Sequence, residues 1–281
     1  MRICVVIPSH NRSATLTRAL QSVYDQSSPV DEVILVDDGS TDASSDLVAR
    51  RFPEVKILHQ ANLGVSAARN RGIAAAGCEW IALLDSDDSW LPHKIRAVRD
   101  AWRKAPEFVL FHSDEIWMRN GIRVNPMRKH RKDGGWIFEK CLQLCAISPS
   151  ATVMQKTTLC ELGMFDDTLP ACEDYDLWLR LCHRHPVYYI DQALIVKHGG
   201  HADQLSRRYP AMDQYRLRAL HRLLLSGDLP VDYFRAAESV FLRKLEILIN
   251  GAEKHRNQAL IDEFGPLREA WRRHGETPAS C

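Results

Sequence analysis

The sequence predicts an α/β fold in which a mixed, largely parallel sheet is flanked by helices and followed by a helical C-terminal extension. Three observations predict this fold. Short apolar runs alternate with helix-periodic segments through the first hundred residues, which is the pattern of βαβ units. Except for Lys56 in the third run, these runs are apolar at every position, as in strands that are buried on both faces. From Pro210 onward the pattern is almost entirely helical.

The first part of the chain supplies four strands and the helices between them. The predicted strands are the apolar runs at residues 5–7, 33–36, 55–58 and 80–84. Leu16, Leu20 and Val23 are spaced three or four positions apart and predict the first helix. Leu47 and Val48 mark the second helix, and an alanine-rich stretch at residues 66–76 predicts the third. Parallel strands joined in this way require right-handed crossovers.

Helix and strand alternate less regularly after residue 90. The predicted helices are residues 91–102, 136–144 and 173–182, and the predicted strands are residues 108–111 and 151–154. Asn120-Gly121 predicts a hairpin over residues 116–124, because this pair favours the tight turns that join antiparallel strands. Residues 128–135 form a basic loop that ends in two glycines. We expect one domain at residues 1–208 and a helical extension at residues 209–281.

Composition argues against several classes of protein. Lys and Arg number 37 and Asp and Glu 36, so the net charge of +1 lacks the positive excess of a nucleic-acid binder. No apolar run approaches the ~20 residues that span a bilayer, and residues 3–7 are too few for a signal peptide's apolar core. The eight cysteines contain no C-x-x-C pair, which favours free thiols in a reducing compartment. We therefore expect a cytoplasmic protein that binds no nucleic acid.

Polar clusters follow three of the predicted strands at the point where each strand ends. Residues 9–11 (Ser-His-Asn) follow the first strand, residues 37–38 (Asp-Asp) the second, and residues 85–88 (Asp-Ser-Asp-Asp) the fourth. In open parallel sheets, ligands bind outside the carboxyl ends of the strands. We therefore expect the three clusters to contribute to one site.

Each carboxylate cluster admits a second interpretation. Asp85 and Asp87 lie two positions apart and can reach a hard divalent cation together with phosphate oxygens of a substrate. Asp88 or Ser89 can cap the following helix, and the two interpretations are compatible. Asp38 is either a turn residue or an acceptor for a base N–H or a ribose hydroxyl.

Six motifs occur in order along residues 3–206. They are Ile7-Pro8-Ser9-His10-Asn11, Val36-Asp37-Asp38-Gly39-Ser40, Asn62-x-Gly64-x-Ser66-x-Ala68-Arg69-Asn70, Leu84-Asp85-Ser86-Asp87-Asp88, Cys172-Glu173-Asp174-Tyr175-Asp176-Leu177-Trp178-Leu179-Arg180 and His201-Ala202-Asp203-Gln204-Leu205-Ser206. Together they resemble the family-2 glycosyltransferases of the GT-A fold. The resemblance implies a Rossmann-like mixed sheet, with residues 1–104 as the nucleotide-sugar-binding half and residues 105–208 as the acceptor half.

The resemblance also implies a donor and the residues that bind it. A nucleotide-diphosphate sugar, with UDP-sugar favoured, would be the donor, and a glycan or lipid-linked molecule the acceptor. Asp85 would contact the ribose, and His10 stands where many relatives carry a tyrosine that stacks on the base. The donor-binding residues implied are Pro8, His10, Asn11, Asp38, Arg69, Asp85 and Ser86.

A metal ion is implied as well. Asp87 would bind Mn2+ or Mg2+, which bridges the diphosphate and stabilises the negative charge of the leaving group. His201 is favoured over His198 for the remaining contact to metal or phosphate, because its spacing to Ser206 fits the family motif.

The acid pair Glu173-Asp174 would serve the acceptor. A hydroxyl group must lose its proton as it attacks the anomeric carbon, so a carboxylate must lie within hydrogen-bond reach. From its position alone, either residue of the pair could instead be an ordinary acid in the first turn of a helix, where the helix dipole stabilises negative charge. By resemblance Asp174 is the base and Glu173 contacts the acceptor. One base and a metal-held leaving group predict a single displacement with inversion.

Two alternative functions are weighed against this one. A sugar nucleotidyltransferase would need a Gly-rich loop with Lys or Arg after the first strand to hold a triphosphate. Residues 8–12 do not form such a loop. Loss of Asp87 or Asp174 would support a nucleotide-sugar-binding module without turnover. Both residues are present, which favours the enzyme. The basic run at residues 128–132 is interpreted either as a solvated loop or as a contact to an anionic or lipid-diphosphate acceptor. The Arg-rich helices after Pro210 are interpreted either as packed amphipathic helices or as contacts to a membrane surface or a partner helix. The oligomeric state is not predicted.

Overall fold

The computed structural model of the protein describes residues 1–200 and 209–276, with side chains to residue 273. The chain divides into two compact units, Met1–Gln204 and Leu205–Cys281. Within the described residues no helix is long and apolar enough to cross a membrane.

The first unit is built on one mixed sheet. Its strands in the described part of the chain are β1 (Ile3–Ser9), β2 (Glu32–Asp38), β3 (Lys56–Gln60), β4 (Trp80–Leu83), β5 (Ser89–Trp90), β6 (Leu110–Arg119), β7 (Ile122–Val124), β8 (Val153–Gln155) and β9 (Tyr188–Gly199). Their order is β3-β2-β1-β4-β8-β6-β9-β5, and β7 pairs with β6. Strands β1 to β4 pair in parallel, whereas β8 runs antiparallel to both β4 and β6. The predicted α/β class with a mixed sheet is confirmed.

Helices cover this sheet and make up the second unit. Those of the first unit are α1 (Leu16–Tyr24), α2 (Ser44–Arg51), α3 (Val65–Ala75), α4 (Lys94–Lys104), α5 (Phe138–Gln143), α6 (Lys156–Glu161) and α7 (Glu173–Cys182). Those of the second unit are α8 (Asp213–Leu225), α9 (Val231–Lys254) and α10 (Gln258–Glu276). In the second unit the Phe241 ring stacks on His221 and contacts Trp271, which gives α8–α10 a shared aromatic core.

Local sequence explains the elements that carry the site. All seven residues of β1 are buried, as its continuous apolar run predicts. Helix α3 lies against β1 at Gly72, where a Cβ atom would be only 2.4 Å from Val6 Cγ1. No larger residue fits this contact without displacing the strand. Glycine therefore allows α3 to approach the sheet, which places Arg69 near the strand ends.

Strand β9, like the short strand β5 and helix α6, is an element that the sequence analysis did not predict. It pairs in parallel with β6 and antiparallel with β5. The register shifts twice between Ser113 and Glu115, where Asp191, Gln192 and Leu194 are extra residues on β9. This irregularity interrupts the two-residue alternation by which strands are recognised.

Lys94 is a buried cation in the core of the first unit. It has no exposed surface, and its Nζ donates a hydrogen bond to the Ala151 carbonyl oxygen at 2.8 Å. The ammonium group lies 5.3 Å from the centre of the Trp90 ring. Burial lowers the pKa of Lys94 to about 7.

We expect Lys94 to make the free energy of unfolding depend on pH. Between the lowered pKa and the ordinary value of 10.5, the unfolded chain binds more protons than the folded chain, so stability rises with pH. This group should add about 2 kcal/mol between pH 7 and pH 9. Urea unfolding should show that increment in the wild type and in the exposed control Lys104→Met but not in Lys94→Met. An equal pH dependence in all three proteins would contradict the expectation.

Candidate active site

Hydrogen bonds join the segment after β1 to the end of β2 and the loop that follows it. His10 Nδ1 lies 2.8 Å from the Asp38 carbonyl oxygen, and its Nε2 lies 3.2 Å and 3.3 Å from the side-chain amides of Asn11 and Asn62. These partners fit the tautomer with the proton on Nδ1. Asn11 adopts a left-handed φ of 53°, and its Oδ1 accepts a hydrogen bond from the Thr41 backbone N–H at 2.8 Å. The two loops thus form one wall.

The Asp38 carboxylate orders the third loop of the same region. Oδ1 accepts hydrogen bonds from Gln60 Nε2 at 2.7 Å and from the Leu63 N–H at 2.8 Å, and Oδ2 accepts one from the Gly64 N–H at 2.9 Å. These bonds use three of the roughly four acceptor positions of a carboxylate. Asp38 therefore holds the start of α3 in place, a role that the sequence analysis did not assign to it. Pro8 is buried in β1 opposite Val36.

The acidic cluster after β4 is organised by Ser150. The Ser150 hydroxyl accepts a hydrogen bond from the Asp85 N–H at 3.1 Å and donates one to Asp88 Oδ2 at 2.7 Å. Asp88 Oδ1 accepts another from the His198 N–H at 3.1 Å. Burial and the negative charges of Asp85 and Asp87 raise the pKa of Asp88 to about 7, against the opposing effect of Lys197. Asp88 thus has a structural role at this strand end, and Ser86 beside it is buried.

Asp85 and Asp87 fit a divalent cation. Both lie on the turn at residues 85–88, which the Asp88 N–H closes by donating to the Asp85 carbonyl oxygen at 3.0 Å, and carboxylates are ligands that hard cations prefer. The described residues contain no group of three or more His, Cys, Asp or Glu side chains that could hold a metal on its own. Mg2+ is commonly bound through one or two carboxylates, with substrate phosphates and water as the other ligands. His201 lies outside the described residues.

Arg69 links the two sides of the site. Its Nη2 donates a hydrogen bond to Asp85 Oδ1 at 2.7 Å, and its Nη1 donates one to Glu173 Oε1 at 2.6 Å. The side chain is 3% exposed, and the guanidinium carbon lies 5.0 Å from the centre of the Phe165 ring. Burial disfavours its charge, but the two carboxylates raise the pKa of Arg69 above its ordinary value. Asp85 of the acidic cluster after β4 is therefore a neighbour of the acid pair at the start of α7.

Helix α7 presents the acid pair at its first turn. Cys172 precedes it in a left-handed conformation with a φ of 62°. Glu173 is buried in its ion pair with Arg69, and burial raises the pKa of Glu173. Asp174 is half-buried. Its Oδ1 accepts a hydrogen bond from the Tyr175 N–H at 2.7 Å, and its Oδ2 accepts one from Cys145 Sγ at 2.8 Å.

The sequence analysis missed Glu115 and Lys197, and it grouped Lys132 with a basic run that was interpreted as a solvated loop or an acceptor contact, whereas the Lys132 side chain is buried. Lys132 and Glu115 form an ion pair at 3.2 Å, with side chains 5% and 2% exposed. Burial favours the neutral acid, but Lys197 and Lys132 lower the pKa of Glu115 to about 2. Lys197 also donates a hydrogen bond to Ser148 Oγ at 3.1 Å. The signal for Lys197 is a lone cation after the apolar run of residues 193–196.

The structure thus groups the sequence-predicted residues in two sets. His10, Asn11 and Asp38 contact one another through their loops. Arg69 joins Asp85 to Glu173, beside Asp174. Asp87 accepts a hydrogen bond at its backbone carbonyl from Arg18 at 2.6 Å.

Sequence relatives share this part of the chain. Residues 4–147 match the sequence model of the family described as glycosyl transferase family 2. Over 201 residues the chain is 31% identical to an uncharacterized glycosyltransferase of Rickettsia conorii, a match that covers 69% of this chain and 32% of that protein. Over 96 residues it is 41% identical to the succinoglycan biosynthesis protein ExoO of Rhizobium meliloti, covering 34% of this chain and 28% of that protein. The chain therefore spans about a third of the length of these relatives.

Solved structures of S. aureus TarS share the fold. The complex of TarS 1–349 with UDP superposes with a TM-score of 0.69 at 19% identity and covers 89% of this chain and 72% of that one. The complex with UDP-GlcNAc gives a TM-score of 0.70 at 18% identity, covering 89% and 73%. This likeness confirms the GT-A architecture that the motifs predict.

Proposed function

The chain belongs to glycosyl transferase family 2, and on this premise we propose that it transfers a sugar from a UDP-sugar to a hydroxyl group of a glycan or lipid-linked acceptor. The observation that carries the proposal is the Arg69 bridge, which brings Asp85 of the strand-end cluster beside the Glu173-Asp174 pair. Donor and acceptor chemistry need such groups within one site. The UDP and UDP-GlcNAc complexes of TarS, which has the same fold, support a UDP-linked donor.

On the donor side, the wall formed by the loops of His10, Asn11 and Asp38 would hold the base and ribose. Asp85 and Asp87 would hold Mn2+ or Mg2+, and His201 would add a contact to metal or phosphate. The cation supplies charge stabilisation for the departing diphosphate. Lys197, whose pKa is raised above its ordinary value by Glu115, Asp88 and Asp85, adds a resident positive charge behind the carboxylates.

On the acceptor side, Asp174 would accept the proton of the attacking hydroxyl group. The acceptor oxygen forms its bond to the anomeric carbon as the sugar–phosphate bond breaks, and UDP leaves with the electron pair. A single displacement of this kind inverts the anomeric configuration. Glu173, buried against Arg69, would orient this end of α7, and the resemblance also implies that it contacts the acceptor.

Thermal unfolding with UDP, GDP, CDP and dTDP, each with and without Mn2+, tests the donor site. A ligand at a hundred times its Kd adds about 2.7 kcal/mol, which raises the Tm by about 5–10 °C at this chain length. We expect the metal-dependent rise with UDP. Asp87→Ala should lose it, and the exposed control Asp46→Ala should keep it. No shift with any nucleotide would refute the donor-site assignment.

Turnover separates the proposal from its two alternatives. A transferase releases UDP from a UDP-sugar and forms a glycoside with a hydroxyl acceptor. A binding module would show the thermal shift without releasing UDP. A sugar nucleotidyltransferase would instead form pyrophosphate from a nucleoside triphosphate and a sugar phosphate.

A further inference from the structure

The Asp174 carboxylate receives a hydrogen bond from a thiol. Cys145 Sγ lies 2.8 Å from Asp174 Oδ2 and 3.3 Å from the Ile147 carbonyl oxygen. A thiol has one proton, and the shorter distance and the negative charge favour its donation to Asp174. Burial, together with the charge of Asp174, raises the pKa of Cys145 well above its ordinary value, against the opposing charges of Lys132 and Lys197. The sulfur therefore keeps its proton at neutral pH and remains a donor.

The loop that carries Cys145 is held at several points. Tyr175 Oη donates to the Leu142 carbonyl oxygen at 2.8 Å, and Trp178 Nε1 donates to that of Ile147 at 2.9 Å. Both donors belong to α7, which also carries Asp174. Lys132 Nζ donates to the Ala146 carbonyl oxygen at 3.0 Å. The thiol is thus presented by a segment whose position relative to α7 is fixed.

Asp174 is the member of the acid pair that these contacts leave for chemistry. Glu173 is buried and paired with Arg69, whereas Asp174 is half-buried and has its two oxygens oriented by the Tyr175 N–H and by the thiol. We propose that Cys145 is a positioning residue that holds the Asp174 carboxylate in its ionised, oriented form for deprotonation of the acceptor. This inference rests on the proposed function for its catalytic consequence, but the thiol–carboxylate contact can be tested without it.

Alkylation of Cys145 tests the contact itself. N-ethylmaleimide labelling of the purified protein is followed at Cys145 by peptide mass spectrometry in the wild type and in Asp174→Asn. Removal of the carboxylate charge lowers the pKa of the thiol, so we expect labelling of Cys145 to accelerate about three- to tenfold at pH 8. Labelling of the exposed Cys160 serves as the internal reference. Equal rates at Cys145 in the two proteins would overturn the contact.

The pH dependence of turnover tests the consequence. With UDP-GlcNAc as donor and water in place of the acceptor, the acid limb of kcat/KM reports the ionisation of the base. Cys145→Ala removes a hydrogen bond to the ionised carboxylate, so we expect this limb to move upward by about one pH unit. Cys145→Ser, which restores a donor, should return the limb close to its wild-type position, and Cys160→Ala should leave it unchanged.

The outcomes are distinguishable. A general loss of rate in Cys145→Ala with an unmoved acid limb would overturn the positioning role and leave a structural one. An unmoved limb and an unchanged rate, with Asp174→Asn inactive, would overturn the inference while the proposed function stands. A wild type that binds UDP but does not cleave UDP-GlcNAc would overturn both the proposed function and the catalytic consequence. The labelling result would still decide whether the thiol contacts the carboxylate.

Discussion

Asp174→Asn is expected to keep donor binding and to lose sugar transfer by about 10²- to 10⁴-fold, the range typical of a removed general base. Asparagine has nearly the same shape, and its Oδ1 can still accept the hydrogen bond from the Tyr175 N–H, so the start of α7 should persist. Its NH2 group then faces Cys145 and replaces the oxygen that accepts from the thiol. It cannot accept the proton of the attacking hydroxyl group. The measurement is UDP release from the UDP-sugar, together with the nucleotide-induced shift in Tm.

The exposed Asp167→Asn is the matched control, because it makes the same chemical change on the surface of the same half of the unit. It should behave as the wild type in both measurements. Transfer by Asp174→Asn at the wild-type rate would exclude Asp174 as the base. Loss of the nucleotide shift in this variant would indicate a folding defect instead.

The second large effect is expected at Arg69, this time on stability. Arg69→Met removes the cation that compensates Asp85 and the buried Glu173. Breaking a buried ion pair by removing one partner costs about 3–5 kcal/mol, because a charge is left without compensation. At this chain length the Tm should fall by about 10 °C, which thermal unfolding measures directly.

Two further variants show whether the cause is uncompensated charge. Adding Glu173→Gln to Arg69→Met removes one of the stranded carboxylates and should recover part of the lost stability, as a double-mutant cycle measures. Arg2→Met breaks the exposed ion pair with Glu79 and should lower the stability far less, because water screens that pair. A decrease at Arg69 no larger than the one at Arg2 would contradict the proposed compensation.

Much of the sheet could be predicted because its strands follow simple rules. β1 and β2 each contain a continuous apolar run, residues 3–8 and 33–36, and are buried along almost their whole length. Such runs, separated by amphipathic helices, indicate a parallel sheet without further information. β9 could not be predicted in this way, since Asp191 and Gln192 break its alternation and its pairing partner β6 is distant in the chain.

The candidate site could be predicted only as a set of clusters. That polar residues follow β1, β2 and β4 is visible in the sequence, and so is their common edge. Which cation meets which carboxylate is not visible, because Arg69 lies 104 positions from Glu173. The same holds for Cys145 and Asp174, and for Lys197 near Asp88. These contacts depend on how the loops and α7 pack, which local patterns do not encode.

The place of β9 in the sheet has a consequence for how the chain reaches its native state. β9 is the last strand in the described part of the chain, yet it inserts between β6 and β5. While the chain is being synthesised, β6 emerges long before β9 and exposes a row of unpaired N–H and C=O groups. Such an edge is a template for pairing with other chains. A nascent or truncated chain that stops before Tyr188 is therefore prone to aggregation. Once β9 has been synthesised, it pairs with β6 and covers this edge.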